Sequence, residues 1–237
     1  MTLLHDAYTA LLAGLTTKTG NEIHWQDEDG TPITIEPIDV EKEKYILRQY
    51  YPNGNKWSEE EYQNGELHGK DIGWRENGDK EHEMEYQNGK PNGKSIGWYK
   101  DGNKSWELEY QNGQRHNKYI FWHENGNKQL EEDFQNGQRH GKSIVWDENG
   151  NKKWEVEYQN GKLCGKRIVW HNNGNKKWES EYQNGKLCGK YIEWDEAGNK
   201  LSEKEYQNGL LHGKSIVWDE NGNKKWEIEF QNGVKIK

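Results

Sequence analysis

The stretch that decides the fold of this 237-residue chain is residues 142–161, KSIVWDENGNKKWEVEYQNG. Residue types alternate in KSIVW and again in WEVEY, which is the pattern of a β-strand with two different faces. Each run leads into a segment with Asn-Gly, which favours a type I′ hairpin turn because both central residues need positive φ. The alternation places Trp154 and Val156 on one face and Glu155 on the other.

The same pattern recurs every 24 residues without an insertion. The motif Tyr/Phe-Gln-Asn-Gly begins at Tyr62, Tyr86, Tyr110, Phe134, Tyr158, Tyr182, Tyr206 and Phe230. A second column with an isoleucine two residues earlier consists of Trp74, Trp98, Trp122, Trp146, Trp170, Trp194 and Trp218. One strict period indicates a repeat array. The sequence therefore predicts an all-β fold: an elongated, twisted antiparallel β-meander of 24-residue hairpin repeats, in about eight units.

A third column consists of glycines at the point where the chain re-enters a strand. Its members are Gly69, Gly93, Gly141, Gly165, Gly189 and Gly213. Glycine at a strand position predicts a β-bulge or a close approach of the backbone to another group.

The N-terminal segment differs from the repeats. Apolar residues between Leu3 and Leu15 follow helical spacing, with Thr2 as the N-cap, and residues 22–26 and 31–35 read as a hairpin. We expect a small helix-plus-hairpin cap that covers the first edge of the array. The predicted domains are a capping segment, residues 1–44, and the repeat array, residues 45–237.

Composition excludes several classes of protein. Only 30% of residues are hydrophobic, whereas Trp and Tyr number 13 each, so large rings carry the apolar surface and a thick enzyme-like core is not expected. The net charge of −8 argues against nucleic acid. We expect no integral membrane segment and, because no Lys or Arg precedes Lys18, no secretory signal. These features predict a cytoplasmic protein.

The pattern Tyr-Gln-Asn-Gly-x-x-x-Gly-Lys, followed by an aromatic residue and a second x-Asn-Gly, resembles the MORN repeat (membrane occupation and recognition nexus) over residues 46–237. It is most similar to the variant branch found among bacterial antitoxins of toxin–antitoxin systems. The resemblance implies a β-hairpin repeat protein that binds a protein partner. Residues 1–44 do not show this resemblance.

Two columns of carboxylates are candidates for acid–base chemistry. The first is Glu59, Glu83, Glu107, Glu131, Glu155, Glu179, Glu203 and Glu227, and the second begins two residues later, at Glu61. Identical repeats give identical environments, whereas an acid–base pair needs two different pKa values. We therefore interpret the columns as an open, solvated face paired with lysines such as Lys142 and Lys152, and predict no catalytic residue and no enzyme.

A mixed column of histidines and cysteines suggests metal ligands at first sight. It consists of His68, Asn92, His116, His140, Cys164, Cys188 and His212. Equivalent positions on successive hairpins lie about 9–10 Å apart, too far to converge on one zinc ion. The sequence predicts no metal, no cofactor and no disulfide between Cys164 and Cys188.

The aromatic residues are the remaining candidates for function. We expect Ile144 and Trp146 of one strand to share a face with Trp154 of the next and to form the core of a single-layer sheet. Part of that aromatic face would stay exposed and bind a partner. The predicted partner-binding residues are Trp98, Trp122, Trp146, Trp170 and Trp194.

The resulting function hypothesis is a non-enzymatic protein-binding repeat module of the antitoxin or immunity type, which neutralises a protein toxin by direct contact. The alternative is a structural scaffold that associates with itself, lies against a membrane as a peripheral protein or forms part of a virion. Stoichiometry separates the two, because an antitoxin forms a small heterocomplex and a scaffold forms a filament or a large homo-oligomer.

Overall fold

The computed structural model describes residues 17–26, 30–39 and 42–237. It is an all-β protein whose strands form an antiparallel meander, and the described residues contain no helix, as the repeat pattern predicts. The predicted N-terminal helix lies outside the described residues. The chain forms two compact units, residues 1–116 and 117–237. The predicted domain boundary after residue 44 stays a prediction.

The strands of the first unit precede the boundary. They are β1 (Thr17–Thr19), β2 (Glu22–Gln26), β3 (Pro32–Asp39), β4 (Lys44–Tyr50), β5 (Lys56–Gln63), β6 (Glu66–Trp74), β7 (Lys80–Gln87), β8 (Lys90–Trp98) and β9 (Lys104–Gln111). The predicted N-terminal hairpin is confirmed as β2 and β3, in which Ile23 faces Ile35.

The next strand, β10 (Gln114–Trp122), begins just before the boundary, and the strands after it lie in the second unit. They are β11 (Lys128–Gln135), β12 (Gln138–Trp146), β13 (Lys152–Gln159), β14 (Lys162–Trp170), β15 (Lys176–Gln183), β16 (Lys186–Trp194), β17 (Lys200–Gln207), β18 (Leu210–Trp218), β19 (Lys224–Gln231) and β20 (Val234–Lys235).

Two kinds of turn alternate along the meander. In the Gln-Asn-Gly turn, Asn160 and Gly161 both have positive φ (49° and 74°), as a type I′ turn requires. The expected type I′ turn is wrong for residues 147–151, where only Gly150 has positive φ (83°). There the Gly150 N–H donates to the Asp147 carbonyl at 3.0 Å, and the register shifts next to Trp146. This geometry is that of a type I turn followed by a glycine bulge.

The register separates the aromatic residues onto two faces. Val145 pairs with Trp154, whereas Ile144 pairs with Glu155. Since directly opposed residues point to the same side of a sheet, Ile144 and Trp146 lie on the opposite face from Trp154. The expected single aromatic face is therefore wrong. We call the face of Trp146, Glu155 and their repeat equivalents the lysine face, and the face of Trp154, Val156, Tyr158 and their equivalents the groove face.

The glycine column forms the predicted bulges. At Gly141 φ is 109°, and a Cβ atom there would lie 2.7 Å from Oδ2 of Asp133. The register shifts between Glu132 and Phe134 in the pairing of β11 with β12, and the Lys142 N–H donates to Asp133 Oδ2 at 3.1 Å. Asp133, and Glu205 at the equivalent position three repeats later, therefore accept a backbone hydrogen bond at the bulge.

Neighbouring hairpins are also connected through their turns. The side-chain amides of Asn125 and Asn127 both donate to the carbonyl of Glu148, at 2.6 and 2.8 Å. Two repeats after the turn of Asn125, Nε2 of His171 lies 3.0 Å from the carbonyl oxygen of Trp194. Each of these contacts joins a turn to the next unit along the chain, as expected for a one-dimensional repeat array.

A core of buried apolar residues lies in the N-terminal hairpins of the first unit. Ile23, Ile35 and Tyr45 are buried there with Ile33 and Leu47, and Tyr62 packs against them. The ring of Tyr45 stacks on Tyr62 with 5.1 Å between the centroids. In the repeats fewer positions of the groove face are buried, and in β12–β13 these hold Ser143 and Val156.

Candidate protein-binding surfaces

The predicted binding tryptophans lie on the lysine face and are half-buried. A lysine ammonium covers the ring of four of them, with Nζ 5.6–6.0 Å from the ring centroid: Lys80 over Trp98, Lys128 over Trp146, Lys152 over Trp170 and Lys176 over Trp194. At these distances the contact is a cation–π interaction worth about 0.5–1 kcal/mol. Trp122 is half-buried as well. The binding role of the five residues stays a prediction.

The same lysines hold the first glutamate column in place. Glu155 accepts from Lys142 Nζ at 2.9 Å and from Lys152 Nζ at 2.7 Å, and its side chain is only 16% exposed. The two-lysine arrangement recurs at Glu83, Glu131, Glu179, Glu203 and Glu227. The interpretation of this column as an open, solvated face is wrong, because each carboxylate is half-buried or paired within a layer of lysines and tryptophans.

This pairing changes the acidity of the column. For Glu155, desolvation alone would raise the pKa, but the hydrogen bonds from Lys152 and Lys142 outweigh it and the pKa is lowered. At Glu227 the bonds from Lys214 and Lys224 lower the pKa to about 2. Carboxylates with lowered pKa values stay ionised at neutral pH, so they are poor general acids.

The groove face of the second unit contains a cavity of about 550 Å³. Its apolar lining consists of Phe121, Leu130, Val145, Trp154, Val156 and Leu163, and Tyr158 contributes an aromatic ring with a hydroxyl group. Glu132, Arg139 and Arg167 add charged groups to the lining. A mostly apolar cavity of this volume with a few polar groups is typical of a binding site.

Three charged residues of the cavity break the repeat pattern. Glu132 stands where the next unit has Val156, Arg139 where it has Leu163, and Arg167 where the preceding unit has Ser143. The Glu132 side chain is 3% exposed and accepts from Arg139 Nε and from the Ser143 hydroxyl, both at 2.9 Å. Sequence reasoning missed these residues, although aligning the units by their period singles them out.

The histidine column has a structural role. The backbone N–H of Asn88 donates to Nδ1 of His68 at 3.4 Å, and the N–H of Asn160 donates in the same way to His140. Asn92, which interrupts the column, accepts from the N–H of Asn112 at 3.0 Å. At His68, Asn92, His140 and His212 the side chain therefore accepts a hydrogen bond from the following Asn-Gly turn, whereas Nδ1 of His116 is buried without a hydrogen-bond partner in the described part of the chain. Among the described residues, no three His, Cys, Asp or Glu side chains form a group that could hold a metal ion.

Both cysteines are free thiols in this column. Burial raises the pKa of Cys164 and of Cys188, and the nearby carboxylates of Glu157 and Glu181 raise these values further. The prediction that the two thiols do not form a disulfide with each other has yet to be tested.

The meander, its two turn types and its 24-residue period define a repeat protein built from β-hairpins. The sequence model of the MORN repeat variant matches five segments: residues 46–64, 115–136, 139–160, 187–208 and 211–232. These segments are similar to that family, and the chain between them keeps the same columns, as at Tyr86, Trp98 and Tyr182. No curated protein matches this chain in sequence. No helix in the described part of the chain is long and apolar enough to cross a membrane.

Proposed function

We propose that this protein is a non-enzymatic protein-binding module of the antitoxin or immunity type, which neutralises a protein partner by direct contact. The observation that carries the proposal is the accessible aromatic surface of a single-layer sheet: half-buried tryptophans along the lysine face and an apolar cavity on the groove face. Tryptophan and tyrosine concentrate binding energy at protein interfaces because they bury a large area with few rotatable bonds.

Three further features support a protein partner. The similarity to MORN repeats favours a binding module over an enzyme. The net charge of −8 disfavours nucleic acid, because binding to phosphates needs an excess of Lys and Arg. We also propose a cytoplasmic location, which two free thiols suit because cytoplasmic proteins keep their cysteines reduced.

The first test is co-expression with the product of the adjacent gene. If this chain is an antitoxin, it restores the growth of cells that the adjacent gene product inhibits, and the two proteins purify together as a small heterocomplex. Light scattering measures the mass of that complex. Failure of rescue together with a filament or a large homo-oligomer of this chain would support the scaffold instead.

The second test asks whether the predicted tryptophan column forms the contact. We expect the double variant Trp146→Phe/Trp170→Phe to weaken the complex by at least about tenfold, because both rings lie at the centre of the column. The matched control is Trp226→Phe, a groove-face position at which the ring is 39% exposed. Equal affinities of the two variants would remove the lysine face from the proposed interface.

One observation favours the scaffold as a second candidate. In the last hairpin, Trp226, Val234 and Ile236 expose 39%, 65% and 54% of their surface. Exposed apolar side chains that lie close together favour contact with another chain, although β20 is only two residues long and carries Lys235, which oppose pairing at its edge. A Val234→Asp/Ile236→Asp variant separates the candidates, since it abolishes edge-mediated self-association and leaves a heterocomplex through the tryptophans intact.

A further inference from the structure

We propose that the cavity on the groove face of the second unit recognises an acidic side chain of a bound protein segment, with Arg167 as the group that receives the carboxylate. Trp154, Val156 and Leu163 would hold the apolar side chain next to it. The inference rests on the proposed protein-binding function and names the chemistry of the partner at one site.

Arg167 is a cation without a carboxylate partner among the described residues. Its guanidinium carbon lies 4.9 Å from the centroid of the Trp178 ring, and the side chain is half-buried. No carboxylate of residues 17–26, 30–39 or 42–237 forms an ion pair with it, whereas Lys142 and Lys166 each pair with a glutamate. A guanidinium that stacks on an aromatic ring keeps its N–H groups at its edge, where they match a carboxylate.

The second arginine of the cavity is already neutralised. Arg139 pairs with the buried Glu132 through Nε, and its guanidinium carbon lies 5.4 Å from the ring centroid of Tyr158. The Glu132–Arg139 pair adds no net charge, so Arg167 leaves the cavity with one positive charge in a protein of net charge −8. The charge that complements this site is a single negative one.

The apolar lining selects a protein segment over a small free anion. Most of the residues around the 550 Å³ are aliphatic or aromatic, and filling that volume with apolar atoms contributes more than the contact with one charge. A segment with an acidic residue beside a leucine or phenylalanine supplies both groups. No other unit has an arginine at this position, so the site makes the units of the array different for a bound segment. The other members of the Arg167 column are Asp71, Ser95, Tyr119, Ser143, Tyr191 and Ser215.

The experiment uses the full chain and two blocked peptides, acetyl-Ala-Leu-Glu-Leu-Ala-amide and the same peptide with Gln in place of Glu. Titration followed by NMR of the Trp154 indole N–H and the Arg167 Nε–H gives both affinities. We expect the Glu peptide to shift both signals and to bind at least about tenfold more tightly than the Gln peptide.

The decisive variant is Arg167→Ser, which installs the residue that the preceding unit has at this position, Ser143, and should therefore preserve the fold. We expect it to abolish the preference for Glu over Gln, and Arg167→Lys, the second variant, to retain a reduced preference because it keeps the charge and loses the planar fork. The matched control is Arg115→Gln, at the repeat position of Arg139 but outside the cavity lining, and it should retain the preference.

Two results would overturn the inference: equal affinity for both peptides in the native protein, or an undiminished preference in Arg167→Ser. Binding of 3-phenylpropionate as tight as that of the Glu peptide would also overturn it, because a small carboxylate would then suffice. These results leave the proposed function standing if the adjacent gene product still forms a heterocomplex. Conversely, a preference that depends on Arg167 supports the inference even where that gene product fails to bind.

Discussion

The first hairpins and the repeat hairpins share one architecture but are stabilised in different ways. Around β2–β5, Ile23 and Ile35 are fully buried and stacked tyrosines cover them, so apolar volume dominates. A repeat hairpin such as β12–β13 buries one valine and one serine, and its remaining contacts are lysine–glutamate pairs, tryptophan–lysine contacts and turn hydrogen bonds. A thin sheet can therefore be stable without a thick core when each strand repeats the same polar contacts.

The largest expected effect is the loss of a buried aliphatic side chain from the first hairpins. Ile35→Ala should lower the free energy of unfolding by about 2–5 kcal/mol, and Val156→Ala by about 1–2 kcal/mol, because the repeat position packs fewer apolar atoms. Urea denaturation measures the loss in the free energy of unfolding for each variant, and hydrogen exchange shows which strands lose protection. Ile38→Ala is the control, since Ile38 is exposed. Equal losses at positions 35 and 156 would remove the distinction between the two regions.

The second prediction tests whether the backbone geometry at the glycine bulges is needed for the stability of the repeats. Gly141→Ala should cost roughly 1–3 kcal/mol, because a Cβ atom at φ 109° meets the Asp133 carboxylate. Gly174→Ala is the matched control: its φ of 87° is also unfavourable, but no atom lies within 4 Å of the added Cβ, so about 1 kcal/mol is expected. Thermal unfolding of both variants provides the comparison. If Gly174→Ala is the more harmful change, contact with the Asp133 carboxylate does not constrain the bulge at Gly141.

The third prediction concerns the loss of stability at acidic pH. The glutamates that pair with two lysines, such as Glu155 and Glu227, have folded pKa values below the unfolded value of 4.5. Their contribution to stability is therefore complete above about pH 5 and is lost as the pH falls through the lowered folded values. The melting temperature should fall over this range, and hydrogen exchange should show the repeats opening before β2–β4. Glu155→Gln should reduce the pH dependence, whereas Glu148→Gln, at an exposed turn, should not. A melting temperature that is flat from pH 5 to pH 2 would contradict the role of this column.

The smallest expected effect concerns the thiols and tests the uniformity of the repeats. Cys164 and Cys188 occupy equivalent positions, and burial and a nearby glutamate raise the pKa of both thiols. Both should therefore react with a thiol reagent at about pH 7.5 at similar rates, and more slowly than in the unfolded chain. Glu157→Gln should accelerate Cys164 alone. Mass spectrometry that finds a Cys164–Cys188 disulfide in the native protein would show that the expected spacing of the hairpins is wrong.

The sequence predicts the strands, the period and the glycine bulges because each depends on local chemistry. Residue numbers alone do not show which columns of neighbouring strands lie on the same face of the sheet. A two-residue turn at Asn160-Gly161 makes Tyr158 face Leu163, so even-numbered residues of β13 share a face with odd-numbered residues of β14. The glycine bulge after Trp146 preserves the same parity on the other side. Turn geometry, which fixes register, therefore decides that Trp146 and Trp154 lie on opposite faces.

The candidate site was less accessible from the sequence than the fold. The tryptophan column is visible because it is regular, but regular positions are also the ones that build the sheet. Glu132, Arg139 and Arg167 are irregular, and an irregular residue reveals a site only when the register brings it beside others. Their convergence depends on strands β11, β12 and β14, which no short motif connects.

The lysine pairs of Glu155 come from within its own repeat, since Lys142 and Lys152 lie 13 and 3 residues before it. Each hairpin therefore balances this carboxylate without help from the next. Copying or deleting a block of 24 residues carries both lysines along with the glutamate, and the new junction inherits turn contacts of the same kind, such as those from Asn125 and Asn127 to Glu148. Unequal recombination between such blocks would lengthen or shorten the chain in whole units, so the extent of the binding surface can evolve by copy number while individual units diverge to acquire sites.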